Sequence, residues 1–160
     1  MPKLTKAQII EAKRQMRSSG FIECYEDNRP IPPILDVLYM DLNKELFDDE
    51  LPEDLPIVVN PRLNRSFGRA VCTSEGKGKR RGTRKNVKPV RIEISGTHTF
   101  TNRHMRKTMT HEMCHIWAFI KFGEVGHGQM FWKKMRELKY PEGHVFENQL
   151  SSERDKYCDY

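Results

Sequence analysis

The residues best suited to chemistry lie in the run Thr-His-Glu-Met-Cys-His that begins at Thr110. His111, Glu112 and His115 form the pattern H-E-x-x-H. On a helix, positions i and i+4 share one face, so both imidazoles can approach the same ion. Glu112 follows the first histidine and would stand beside the remaining coordination position, where a water binds. The pattern therefore predicts a zinc site suited to hydrolysis.

The flanks of the motif favour a metal over a coincidental match. Apolar residues surround it on nearly every side, as in a helix buried in a core; they include Met109, Met113, Ile116, Trp117, Phe119 and Ile120. Two histidines and a glutamate buried together must be hydrogen-bonded or must coordinate a metal. The alternative is an amphipathic helix with two ordinary core or surface histidines.

A catalytic zinc usually has three protein ligands and one open position, so a third ligand is needed. In the longer pattern H-E-x-x-H-x-x-G-x-x-H, the glycine and third histidine would fall at Ala118 and Lys121, which excludes that class. The remaining candidates are His98, His104, His127 and Glu137. Spacing favours His127, because the glycines on either side let the backbone turn sharply back toward the metal.

The elements that must position these residues follow from hydrophobic periodicity and turn signals. Thr5-x-x-Gln8 indicates the capping box of a helix over residues 6–19, and residues 26–33 resemble a turn-rich linker. Further helices are predicted over residues 34–47, 102–122 and 129–138. Strands are predicted over residues 57–59, 66–73 and 90–95, with a glycine-rich loop before the last. We expect an α+β fold in which a small antiparallel or mixed sheet packs against helices.

Positive charge is concentrated in one segment of the chain. Residues 77–91 contain eight basic side chains and no acidic one: Lys77, Lys79, Arg80, Arg81, Arg84, Lys85, Lys88 and Arg91. Removing these from the 28 Lys and Arg of the chain leaves 20, against 22 Asp and Glu. Such a segment favours phosphate backbones through counterion release. The alternative is a solvated loop that only keeps the protein soluble.

Composition narrows the class of protein. The 160 residues, 37% of them hydrophobic and 31% charged, suit one soluble domain. Neither a membrane-spanning run nor a signal-peptide core is present, so we expect an intracellular protein without membrane association. The cysteines (Cys24, Cys72, Cys114 and Cys158) form no C-x-x-C pair. This spacing argues against a zinc ribbon and, without a secretion signal, against disulfides.

Several motifs together resemble the SprT-like domain shared by bacterial SprT proteins and the Spartan DNA–protein crosslink protease. The motif at His111 is followed, twelve residues after His115, by His127 within Gly-His-Gly and then by Phe131-Trp132. Upstream, residues 41–52 match an Asn-x-x-x-Phe…Leu-Pro signature. Phe-Gly-Arg-Ala at 67–70 and Arg-Ile-Glu-Ile-Ser at 91–95 match the strand pair before the metal helix. The resemblance covers roughly residues 34–139, leaving an N-terminal helix and linker (1–33) and a polar tail (140–160).

The resemblance implies a zincin-like fold with the motif on a core helix and one zinc per chain, held by His111, His115 and His127. Glu112 would be the general base. It also implies a metallopeptidase that binds single-stranded or distorted DNA and cleaves DNA-bound or crosslinked proteins, in the cytoplasm, nucleoid or nucleus. Two alternatives stay open: a general metallopeptidase without DNA dependence, and a non-catalytic zinc protein that binds DNA or a partner.

Overall fold

The structure is a computed structural model that describes residues 5, 7, 8, 25, 26, 29, 30, 32–98 and 102–138. Within them, two short strands come first, β1 (Tyr25–Glu26) and β2 (Arg29–Pro30), where the sequence predicted only a linker. The other elements are α1 (Pro32–Phe47), β3 (Ile57–Asn60), β4 (Gly68–Thr73), β5 (Lys88–Ser95), α2 (Asn102–Phe122) and α3 (Gln129–Glu137). The architecture is α+β, as predicted.

The main sheet is small and mixed. Its strand order is β3-β5-β4, with β3 parallel and β4 antiparallel to the central strand β5. A bulge between Val71 and Cys72 shifts the register of β4. The predicted strands are present with ends displaced by up to two residues, since β4 begins later and β5 earlier than expected. Because β5 is central, Ile92 and Ile94 are fully buried beneath the helices.

Helix α1 and the loop after it account for the Asn-x-x-x-Phe…Leu-Pro signature. Four leucines form a stripe on one face of α1, which predicts its buried side: Leu35, Leu38 and Leu42 are buried, and Leu46 is half-buried. The side chain of Asn43 donates to the Leu51 carbonyl at 3.0 Å and accepts the Leu51 N–H at 3.1 Å. Those two bonds fix the turn after the helix. Phe47, the last residue of the helix, packs in the core and is 1% exposed.

The N-terminal helix predicted over residues 6–19 and the tail 140–160 lie almost wholly outside the described residues. The predicted capping box is nevertheless seen, while the helix over residues 6–19 stays a prediction. Thr5 N donates to Gln8 Oε1 at 2.8 Å, and Gln8 N donates to Thr5 Oγ1 at 3.2 Å. No helix among the described residues is long and apolar enough to cross a membrane.

Candidate metal centre

Helix α2 passes through the middle of the core and carries the H-E-x-x-H residues on its buried length. His111 is 2% exposed, and Glu112 and His115 are fully buried. Cys114 is also fully buried and packs in the core as a free thiol. Since α2 is buried on all sides over residues 111–119, its polar residues depend on partners within the protein.

The loop between α2 and α3 brings His127 back to the other two histidines. It turns at Gly123 and Gly126, whose φ angles are +62° and +83°, the left-handed region that glycine adopts without strain. Nε2 of His111 and Nε2 of His127 are 3.1 Å apart. One ring nitrogen from each of His111, His115 and His127 lies within 4.8 Å of the others. The three imidazoles therefore converge on one point.

The chemistry of these imidazoles suits a metal ion. Burial, aided by the neighbouring charge of His127, holds the pKa of His111 well below its usual range. The pKa of His115 is likewise lowered, first by burial and then by the other two histidines. Both rings are therefore neutral at pH 7, which is the form that coordinates zinc. Three nitrogen donors, with no fourth protein ligand among the residues described, match a catalytic zinc site, so the residues fit this metal.

Two features orient the ligand rings. Phe131, fully buried on α3, contacts all three, with centroid distances of 4.9 Å to His111, 4.2 Å to His115 and 4.7 Å to His127. His115 also makes a hydrogen bond to the backbone of Gly126 that favours its protonated form, so the ring N–H donates to the carbonyl. Such a bond fixes which ring nitrogen is left for a metal.

Glu112 lies against the start of strand β4. A Cβ placed on Gly68 would stand 3.0 Å from both Cγ and Oε1 of Glu112, and 3.0 Å from Cγ2 of Thr108. Only a glycine lets the strand come this close to the carboxylate. The Phe-Gly-Arg-Ala segment was recognised in the sequence, but the reason for its glycine appears only in the folded protein.

The other candidates for a third ligand lie elsewhere. His98 Nδ1 is 2.7 Å from Ser95 Oγ, and the rings of His98 and His104 contact Phe67 at centroid distances of 4.7 and 4.3 Å. Glu137 is exposed at the end of α3, 4.0 Å from the ammonium of Lys134. The three-histidine cluster includes none of them.

The basic segment forms a loop between β4 and β5, as predicted, and part of this loop is ordered by hairpin-like pairing of its backbone. In residues 75–85, here called the basic hairpin, Lys77 pairs with Arg84, Gly78 N donates to the Thr83 carbonyl at 2.9 Å, and Lys85 N donates to the Gly76 carbonyl at 2.9 Å. Six of the eight basic candidates lie in it, all exposed: Lys77, Lys79, Arg80, Arg81, Arg84 and Lys85. Lys88 is exposed on β5, whereas Arg91 is half-buried on that strand and its Nε donates to Glu93 at 2.8 Å.

The basic hairpin is joined to the loop that carries His127. Arg84 N donates to the Gly123 carbonyl at 2.8 Å, and Val125 N donates to the Gly82 carbonyl at 3.0 Å. Residues 77–84, together with Val125 and Gly126, line a cleft of about 540 Å³. Charge and metal ligands, which are far apart in the sequence, are thus neighbours in space.

Comparison with known proteins agrees with this architecture. The model of the SprT-like family matches residues 35–152. The chain is also similar to germ cell nuclear acidic protein of Drosophila melanogaster, with 31% identity over 107 residues, which is 66% of this chain and 9% of that protein. The chain thus corresponds to a small part of this relative. No solved structure gave a significant match. Because the family model covers most of the chain, including both segments that supply the histidines, the chain belongs to the SprT-like family.

Proposed function

We propose that this protein is a zinc-dependent endopeptidase that acts on proteins bound to DNA. The observation that carries the peptidase proposal is the convergence of His111, His115 and His127, with Glu112 directly after the first of them on the buried helix. A purely structural zinc site usually has a fourth protein ligand and needs no general base. Membership of the SprT-like family supports the same reaction class.

The proposed reaction is hydrolysis of a peptide bond. When bound, zinc would supply Lewis acidity, which lowers the pKa of a coordinated water from its bulk value toward about 7 and polarises the scissile carbonyl. The three imidazoles would hold the ion, and burial keeps those of His111 and His115 neutral. Glu112 accepts the proton of the attacking water and then delivers a proton to the leaving amine, a role worth about 10²- to 10⁴-fold in rate.

Strand β4 offers a place for the substrate chain. It is an edge strand of the sheet formed by β3, β4 and β5, and its first residue, Gly68, touches Glu112. An extended peptide can add to such an edge through main-chain hydrogen bonds, which requires little of its sequence. The substrate of this proposal is therefore an extended, locally unfolded segment of a protein, placed with its scissile bond near Glu112.

The basic hairpin supports DNA as the partner that brings substrates to the site. None of its six basic side chains makes an ion pair with any described residue, and all are exposed. Five of them, all but Lys85, line a cleft that borders the loop of His127. Phosphates bound there would place DNA, and a protein attached to it, beside the metal centre. This arrangement favours the DNA-linked function over a peptidase with no nucleic-acid partner.

The decisive experiment is proteolysis by metal-quantified protein with and without single-stranded DNA, using a DNA-binding protein as substrate. We expect DNA-stimulated cleavage by the wild type. The variant Glu112→Gln, which keeps the size of the side chain and all three histidines, should retain zinc and lose cleavage. Equal cleavage with and without DNA would indicate a general metallopeptidase. Stoichiometric zinc with no cleavage under either condition would indicate a binding scaffold.

A further inference from the structure

The position of His127 depends on the loop that joins Phe122 to Gln129. Two of its residues, Gly123 and Gly126, have positive φ angles, and glycines leave the backbone many conformations in the absence of other contacts. A ligand on such a loop binds a metal tightly only if the protein orders the loop beforehand. The contacts that order this loop involve Glu124, a residue that no sequence motif singles out.

Glu124 supplies the most direct of these contacts. It is 8% exposed, and its two carboxylate oxygens accept the backbone N–H groups of Met130 and Phe131 at 3.2 and 2.9 Å. Those are the second and third residues of α3, whose N–H groups have no partner within the helix. The N-cap position is Gly128, which has no side chain to offer them. Glu124 therefore caps α3 from four residues before its N-cap.

The same carboxylate closes the loop on itself. A Cβ placed on Gly128 would fall 2.3 Å from Cδ of Glu124, so the carboxylate lies directly against the Gly128 backbone. The backbone of Glu124 is held at the other side. Its N–H donates to the Ala118 carbonyl at 3.2 Å, and it forms an antiparallel bridge with Thr83 of the basic hairpin. The segment 124–128 is thus fixed at both ends, with His127 between them.

Two of the three ligand rings depend on this segment. His127 belongs to it, and His115 is oriented by the carbonyl of Gly126. Phe131, which contacts all three rings, is itself bound to the Glu124 carboxylate through its N–H. Glu124 lies outside the three-histidine cluster, and its oxygens accept N–H groups of α3, so it supports the ligands and does not join them.

We propose that Glu124 is the positioning residue of the metal centre: by capping α3 and closing the loop against Gly128, its carboxylate sets the geometry of His127 and His115 and thereby the affinity for zinc. This inference rests on the zinc site of the proposed function. Partners that orient metal ligands typically contribute about 10- to 100-fold to metal affinity. Glu124→Ala should weaken zinc binding by that factor.

The test is a competition titration of zinc against a chromophoric chelator, at a temperature where every variant is folded. Glu124→Gln keeps one acceptor oxygen for two N–H groups, so we expect a smaller loss, between wild type and Glu124→Ala. Glu45→Ala is the matched control, because Glu45 is exposed and bonds Arg106 of α2 at 3.1 Å without approaching the ligands. Its zinc affinity should equal that of the wild type.

A second measurement separates positioning from simple loss of a helix cap. In cobalt-loaded protein the visible absorption reports ligand geometry, and both Glu124 variants should show altered bands at full loading. Lower thermal stability of the metal-free variants with unchanged zinc affinity and cobalt spectra would overturn the proposal. If Glu124→Ala does not fold, Glu124→Gln decides by the same two readouts. Failure of the wild type to bind one zinc would instead defeat the proposed function.

Discussion

The metal centre and the basic hairpin are neighbours that are built in opposite ways. His111, Glu112 and His115 are buried and His127 is half-buried, and burial keeps His111 and His115 neutral. The hairpin is ordered through its backbone, while its cationic side chains reach into solvent. The first arrangement fixes a few atoms, as catalysis requires. The second exposes positive charge without fixing the positions of individual atoms. This suits binding to a phosphate backbone of any base sequence.

The strongest test of this contrast removes one ligand. His127→Ala should abolish stoichiometric zinc binding and proteolysis, because two imidazoles on one helix do not complete the site. At free zinc of 100 times Kd the wild type should gain about 2.7 kcal/mol of stability, and the variant should gain none. Calorimetry with and without zinc measures this. Glu137→Gln is the control, and a loss of zinc in that variant would contradict the assignment of the ligands.

Crowding Glu112, the proposed general base, should lower the rate of proteolysis without loss of zinc. Gly68→Ala places a methyl group 3.0 Å from Oε1 of Glu112, and displacement of a reacting group can cost about 10- to 100-fold in rate. Zinc content should stay at one per chain. Gly96→Ala is a matched control, since its new Cβ would be equally close (3.0 Å) to Val59 Cγ1 and does not meet Glu112. Similar rates for the two variants would show that Gly68 does not set the position of Glu112.

Neutralising the hairpin should have the complementary effect. The triple substitution of Lys79, Arg80 and Arg81 by alanine should weaken single-stranded DNA binding roughly 50-fold at physiological salt. It should also reduce the slope of log K against log salt by about 0.7 for each phosphate that the variant no longer neutralises. Zinc affinity should not change. Substituting three basic side chains elsewhere (Arg62, Arg65 and Lys133) is the control, and an equally large weakening of DNA binding there would refute the hairpin as the DNA site.

The smallest expected effect on DNA binding concerns Arg91. Its ion pair with Glu93 indicates that it stabilises the fold and does not contact DNA. Burial raises the pKa of Glu93, but hydrogen bonds from Arg69, Arg91 and Asn60 outweigh it, and the net pKa is lowered. The ionised carboxylate therefore stabilises the fold above its unfolded pKa, and this stability is lost as pH falls through the lower folded value. Glu93→Gln should cost about 1–3 kcal/mol at pH 7.

The pH dependence of unfolding in urea tests this linkage. The difference between wild type and Glu93→Gln should narrow as the pH falls below about 4.3, the unfolded pKa, and should vanish only below the lower folded pKa, where the carboxyl is protonated in both folded and unfolded chains. Arg91→Ala should also lower stability while leaving DNA affinity nearly unchanged. A decrease in DNA affinity equal to that of Arg81→Ala would place Arg91 among the phosphate-binding residues after all.

The sequence determined the parts of the protein that local rules control. The spacing of His111 and His115 predicts a shared helix face, the leucine stripe predicts the buried side of α1, and Gly123 predicts the end of α2. The flanking glycines of His127 correctly suggested a turn back toward the other histidines. Each inference needs only the periodicity of a helix or the backbone freedom of glycine, and those properties belong to the chain itself.

Tertiary structure alone decided the relations between distant segments. Three such relations join segments that are tens of residues apart. They are the parallel pairing of β3 with β5, the contact of Gly68 with Glu112, and the docking of the basic hairpin on residues 123–125. Glu124 shows most clearly what the sequence does not predict. Glutamate is usually exposed, and no local pattern marks this one as the cap of a helix that begins five residues later. Its role follows from packing, because only a closed loop brings its carboxylate to those N–H groups.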